Sequence, residues 1–189
     1  MPAMPILGKS KLRTTPHRIR ISLTDINQLF NSMDPSPFNE KDLDQDAEEY
    51  IFTWAQEYSQ NEPISLAIHL KQLPDGEDPK PMIQTAVRNY FAYKARLNRL
   101  EFSRLMKQGR DSLVVGLLFL SSCLLISQVL IPKSPGTLLN LARESLSIAG
   151  WVAMWRPMEI YLYDWWPLRR RGRTYEKLSK IDVELRKKD

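Results

Sequence analysis

Hydrophobic and polar residues alternate strictly in three short segments of the chain. Apolar side chains occupy every second position in residues 18–24, 64–71 and 180–186. Successive side chains of a β-strand point to opposite faces, so this period of two indicates strands that bury one face. The sequence therefore predicts a small three-stranded sheet.

The segment between the first two predicted strands has a helical period instead. In residues 39–59 the apolar side chains recur every three or four positions, from Leu43 to Tyr58. A proline-rich turn precedes this segment, and Asn39 is a suitable capping residue. We expect a helix here that covers one face of the sheet.

The order of these elements predicts the fold class. A strand, a covering helix and a second strand favour parallel neighbours with a right-handed connection, although a third strand can be inserted between them. If the last predicted strand pairs with the other two, residues 17–80 and 174–189 form one α+β domain. The alternative is that residues 177–189 continue as a charged helix or fray, as chain ends often do.

Two apolar stretches, residues 113–131 and 138–154, stand out in a chain that is otherwise rich in charge. The first has 19 residues without a formal charge, a helical length of about 28 Å, close to the thickness of a bilayer core. Proline and glycine in residues 132–136 suit a tight turn between them. We therefore predict a two-helix transmembrane hairpin over residues 113–156, the alternative being a soluble protein with a buried helical hairpin.

Basic residues flank the two apolar stretches and are nearly absent between them, where only Lys133 occurs. The positive-inside rule then places both termini in the cytoplasm, and anionic lipids become the expected membrane partner. Residues 81–112 are predicted to form a basic connecting helix, and residues 157–173 an interfacial segment. Residues 1–16 lack the apolar core of a signal peptide and are predicted to be a disordered tail.

Large aromatic side chains gather beside arginines at the end of the second apolar stretch. The candidate interaction residues are Trp151, Trp155, Arg156, Trp165, Trp166, Arg169, Arg170 and Arg171. Tryptophan beside arginine is typical of the lipid headgroup level, so simple anchoring is one interpretation. The other is that part of this belt packs against another subunit or a protein partner.

Two further sets of polar residues are candidate sites. Arg143 and Glu144 fall within the second apolar stretch, where a glutamate is costly unless it is paired or wet. Glu144 could therefore pair across an oligomer or, in a ring with Ser127 and Gln128, line a pore. Asp42, Asp46 and Glu49 share one face if their segment is helical, and they could hold a divalent ion or meet a basic partner. The alternatives are an interfacial helix start for the first set and a solvated acidic helix end for the second.

The sequence offers little for catalysis. It contains two histidines, His17 and His69, and one cysteine, Cys123, and it lacks a glycine-rich phosphate loop, a serine elbow and a zinc-binding motif. No nucleic-acid-binding module is recognisable either. We therefore expect no catalytic residue, no metal, no cofactor and no nucleic-acid partner.

Several motifs together carry a resemblance to a known family. They are Asp34-Pro35-Ser36-Pro37-Phe38, Trp151-Val152-Ala153-Met154-Trp155-Arg156-Pro157 and Leu162-Tyr163-Asp164-Trp165-Trp166-Pro167. In these motifs the chain resembles a family of uncharacterised bacterial membrane proteins with two spans. The resemblance implies a location in the bacterial inner membrane and supplies no catalytic residues.

These observations predict a membrane-anchored interaction or assembly protein that is not an enzyme. The expected partner is a protein or a second copy of the chain. The alternative function is an oligomeric ligand-gated pore or membrane effector whose cytoplasmic domain senses a signal.

Overall fold

The computed structural model describes residues 16–71, 79–130 and 137–187. Apart from Pro16, the predicted disordered tail lies outside the described residues. The predicted turn between the two apolar stretches lies outside them as well.

The chain divides into two compact units. Met1–Ala92 and Thr174–Asp189 form the first, which we name the sheet unit, and Tyr93–Arg173 forms the second, which we name the helical unit. The sheet unit is thus assembled from both ends of the chain, and the helical unit is inserted between its parts.

The sheet unit contains three parallel strands in the order β1-β2-β3. They are β1, His17–Leu23; β2, Ile64–Leu70; and β3, Asp182–Lys187. Ile19, Leu66 and Val183 lie side by side across the strands and are buried. The predicted α+β class, the three-stranded sheet and the return of the last strand are therefore confirmed, and β2 is central.

The helix α1, Gln45–Glu57, lies between β1 and β2 and buries Ile51 and Ala55. It begins later than the predicted residue 39, because Asp44 is its cap. The Asp44 carboxylate accepts hydrogen bonds from the N–H groups of Asp46 and Ala47 at 3.0 and 3.4 Å, which satisfies two orphan donors of the first turn.

Helices of very different lengths make up most of the rest of the described chain. They are α2, Lys80–Leu125, followed by a π-helical turn, Ile126–Leu130; α3, Thr137–Val152; α4, Trp155–Glu159; a second π-helical turn, Ile160–Asp164; and α5, Trp165–Leu178. The break between α3 and α4 has a local cause. Pro157 has no N–H to donate to the carbonyl of Ala153, four residues earlier, so the chain turns at residues 153–154.

Within the described residues, one helix is long and apolar enough to span a membrane, and it runs from Lys80 to Val129. The predicted two-helix transmembrane hairpin is therefore wrong in its second half. The helix α3 has 16 residues, about 24 Å at helical rise, and it carries Arg143 and Glu144 before the break at residues 153–154.

Candidate functional site

A seam of small residues holds α2 against the segment α3–α4 in the helical unit. A Cβ atom added at Gly150 would lie 2.9 Å from Leu120 Cδ1 and 3.1 Å from Cys123 Cβ. One added at Gly116 would lie 3.2 Å from the carbonyl oxygen of Ala153. The two backbones therefore run antiparallel at a separation that larger side chains would not allow.

The same seam continues beyond the apolar stretch. A Cβ atom at Gly109 would lie 2.8 Å from Ile160 Cγ2, and the Asn98 side-chain amide donates to the Leu168 carbonyl at 2.9 Å. Gly109, Gly116 and Cys123 are spaced by seven residues, which is the period of a left-handed helix pair. This spacing was the signal in the sequence, but its importance becomes clear only when the opposing helix is placed.

Large apolar side chains lie on the outside of this helix pair. Those exposed along the two helices include Val115, Leu117, Leu118, Phe119, Leu125, Leu138, Leu141, Ile148, Trp151 and Val152. Only 17% of the most apolar part of α2 is buried. Water would penalise such a continuous apolar surface, whereas lipid would not.

The predicted tryptophan belt separates into two groups. Trp165 and Trp166 are neighbours, with ring centroids 5.6 Å apart, and the Arg169 guanidinium carbon lies 5.6 Å from the Trp165 ring centroid. Trp151 on α3 and Trp155 on α4 lie earlier in the chain and are exposed. Trp151 and Trp155 flank the break between α3 and α4, whereas Trp165 and Trp166 begin α5, so the four rings belong to three helices.

Arg156 belongs to a charged cluster that includes two residues the sequence did not single out. Its Nη1 donates to Glu159 Oε2 at 3.1 Å and to Asp164 Oδ2 at 3.2 Å. Arg170 and Arg171 are exposed. Arg156 therefore binds two carboxylates of its own segment, and Arg169 packs over the Trp165 ring.

The two charged residues of α3 differ in exposure. Arg143 is half-buried and Glu144 is exposed. Ser127 on the opposing helix is buried, and its hydroxyl donates to the Leu124 carbonyl at 2.9 Å. The structure thus does not bring Glu144 and Ser127 to one surface.

The predicted acidic face is only partly formed. Asp42 precedes α1, which begins at Gln45, so it does not share the face of Asp46 and Glu49. These two carboxylates, with Tyr50, Thr53 and Trp54, line an open depression of about 250 Å³. Among the described residues, no group of three or more histidine, cysteine, aspartate or glutamate side chains is placed to hold a metal ion.

A cluster of three residues in the sheet unit was not predicted. The Tyr90 hydroxyl donates to Glu48 Oε2 at 2.6 Å, and the Tyr175 hydroxyl approaches Glu48 Oε1 at 3.4 Å. Burial, together with the bond to Glu48, raises the pKa of Tyr90 above its ordinary value. The cluster joins α1 to α2 and α5, whose contributing residues are far apart in the sequence and give no local signal.

No family model matches the chain, and no curated protein or solved structure is significantly similar to it. The resemblance to two-span bacterial proteins therefore stays a prediction.

Proposed function

We propose that this protein is a membrane-anchored interaction or assembly protein of the bacterial inner membrane and that it is not an enzyme. The observation that carries the proposal is the reversed packing of the helical unit, where small residues lie between the helices and large apolar residues lie outside. Helix pairs in lipid pack in this way, because lipid tails solvate apolar side chains and close backbone approach supplies the attraction.

The sheet constrains the membrane topology. Strand β2 precedes the apolar part of α2, and β3 follows it, yet the two strands pair over their length. If α2 spans the bilayer, the chain must return to the same side before β3 begins. We assign this return to α3 and α4, two shorter helices joined by a turn, and not to a second continuous spanning helix.

The distribution of charge fits an anionic lipid surface. Residues 93–173 contain 13 Lys and Arg and 5 Asp and Glu, a net charge of +8, whereas the rest of the chain contains 14 and 17, a net charge of −3. Basic residues beside a membrane span gain about 1 kcal/mol each from an acidic leaflet. This supports cytoplasmic placement of both termini.

The interacting part within the membrane region is proposed to be the patch of Trp165, Trp166 and Arg169. Trp165 is half-buried and contacts both the exposed Trp166 and Arg169, and tryptophan and arginine side chains dominate the binding energy of protein interfaces. The alternative function, an oligomeric ligand-gated pore or membrane effector, has weaker support, because Ser127 faces its own helix pair and is not free to line a channel.

A membrane test addresses the anchor. The protein should stay with membranes after an alkaline carbonate wash, and release into the supernatant would overturn the proposal. In a Cys123→Ala background, Ser134→Cys should react with an impermeant maleimide from outside, whereas Asp25→Cys and Lys180→Cys should react only after permeabilisation.

A second test addresses the patch. Replacing Trp165 and Trp166 by leucine keeps the apolar character but removes the indole donors and the stacked shape. We expect normal membrane fractionation and reduced co-purification of partners or of a second copy. Unchanged association would leave these rings as an anchor only, and a ring-shaped oligomer that conducts ions would favour the alternative function.

A further inference from the structure

The sheet has a second face, opposite to the buried apolar one. The residues of two successive rows across this face are Arg18, Ser65 and Asp182, followed by Arg20, Ala67 and Glu184. In these two rows strand β1 carries two positive charges, the central strand β2 carries small residues, and β3 carries two negative charges. The next row adds Arg186 on β3, whose Nη2 donates to Glu184 Oε2 at 3.1 Å. This arrangement is a shallow trough with a basic wall and an acidic wall.

The floor of the trough contains an unsatisfied polar atom. The hydroxyl oxygen of Ser65 is buried and has no hydrogen-bond partner among the described residues. Arg18 Nη2 lies 3.7 Å from Glu184 Oε1, so this pair bridges the outer strands above the central one. A buried hydroxyl without a partner is costly, whereas a half-exposed ion pair at this distance contributes little. A partner that supplies a hydrogen bond to Ser65 and closer ion pairs would therefore stabilise the polar face.

We propose that this polar face binds the same face of a second copy of the chain, with a two-fold axis parallel to the strands and centred on β2. Such an axis places β1 of one copy opposite β3 of the other at the same height. Arg18 then meets Asp182 of the second copy, and Arg20 meets Glu184. Because Arg18 leaves Glu184 for Asp182 of the second copy, Ser65 beneath this pair is uncovered, and a water on the axis then supplies the partner that its hydroxyl lacks.

The charge pattern is what identifies the occupant. A two-fold interface must be self-complementary, and a face with both signs in matched rows satisfies this requirement. The Arg20 guanidinium has no ion-pair partner in the described part of the chain, and the pairing in the dimer supplies one. An acidic or a basic ligand of another kind would oppose one of the two walls.

The size of the face explains why the membrane matters. The outer strands lie about 10 Å apart and run for about 20 Å. The area that this face can bury is therefore well below the roughly 800 Å² per partner of a stable interface. Copies held in one bilayer meet at a high effective concentration, so the proposal rests on the anchor proposed above. Membrane fractionation of the same samples separates a failure of the anchor from a failure of this contact.

One experiment probes the axis in the full chain, reconstituted in vesicles with a Cys123→Ala background. His69 lies on β2 on the polar face, so His69→Cys should approach the same position of the second copy. A short bismaleimide should crosslink it into dimers at least about tenfold more efficiently than Asp25→Cys, which lies on an exposed loop. Equal yields would overturn the proposed axis.

A second experiment tests the charge rows with differently tagged copies that all carry His69→Cys. Arg20→Glu alone places acid opposite acid in its homodimer, and Glu184→Arg alone places base opposite base, so each should lose about tenfold in crosslinked yield. Mixing these two variants creates heterodimers in which both rows are complementary, and the yield should return to that of the parent.

Glu57→Arg, on an exposed position of α1, is the matched control and should leave the yield unchanged. Failure of the mixed pair to recover overturns the proposal, since a purely intramolecular role for these charges would not respond to mixing. Equal loss in the Glu57→Arg control would also overturn it, because the effect would then come from net charge.

Discussion

The sheet unit and the helical unit bury opposite kinds of side chain. In the sheet unit, Leu66 and Val183 are fully buried, whereas Arg18, Arg20 and Asp182 are exposed. In the helical unit, Gly116 and Gly150 are buried, whereas Leu118 is 65% exposed. One chain thus contains a sheet that buries its large apolar side chains and a helix pair that exposes them.

Under the proposed membrane placement, a different force stabilises each unit. Removing apolar area from water stabilises the sheet unit, so its large side chains point inward. Between helices in lipid this force is absent, and close van der Waals packing of backbones takes its place. The same substitution should therefore have different consequences in the two units.

The largest difference is expected for leucine truncation. Leu66→Ala removes a fully buried side chain and should cost about 2–5 kcal/mol of unfolding free energy, whereas Leu118→Ala should cost at most about 0.5 kcal/mol. Denaturant titration of the full chain in mild detergent, followed by hydrogen exchange, would assign each loss to its unit. Equal losses would mean that the outer surface of α2 is buried against protein.

The next largest effect is expected when a small residue of the helix pair is enlarged. Gly116→Val forces a larger side chain against Met154 and the Ala153 carbonyl and should destabilise the helix pair by about 1–3 kcal/mol. Ser121→Val, on the exposed face of the same helix, is the control and should be neutral in detergent. Thermal unfolding followed by circular dichroism measures both. A neutral Gly116→Val would show that the seam does not hold the helices together.

The sheet could be predicted from the sequence because its period of two is a local property. Alternation around Ile19, Leu66 and Val183 was sufficient to predict all three strands, including one that is more than a hundred residues from its neighbour. The start of α1 was predicted too early, because the acids at residues 42–46 compete as caps and the sequence does not rank Asp44 above Asn39.

The helix pair could be predicted only in part, for a physical reason. The apolar content identifies α2 as a candidate span, but the length of the returning helix depends on Pro157 and the turn it causes. The charged cluster of Arg156 with Glu159 and Asp164 depends on the π-helical turn between them. The Glu48 cluster depends on tertiary packing alone.

An effect of similar size to that of Gly116→Val is expected within the sheet unit at Tyr90. Tyr90→Phe removes a hydrogen bond to the Glu48 carboxylate and should cost about 1.5–3 kcal/mol. Tyr58→Phe is the control, since no described residue binds the Tyr58 hydroxyl. Because the folded pKa of Tyr90 is raised, stability should fall as the pH rises past the ordinary value of a phenol, and Tyr90→Phe should remove this loss. A parent protein with no such alkaline loss would contradict the assignment.

The smallest effect is expected on the stability of the sheet unit at low pH. Backbone N–H groups of Asp42 and Ser36 donate to the Asp34 carboxylate and hold its pKa below the ordinary value of an aspartate. Its contribution to stability is therefore complete above the unfolded pKa and is lost as the pH falls through the folded pKa. Asp34→Asn should lower the stability of the sheet unit slightly at neutral pH and flatten its dependence below about pH 4, whereas Glu57→Gln should not.

The sheet unit contains 17 of the 22 acidic residues, so acid should unfold it before the helix pair. Hydrogen exchange at pH 3 measures this order, and faster exchange in α2 and α3 than in the strands would contradict it.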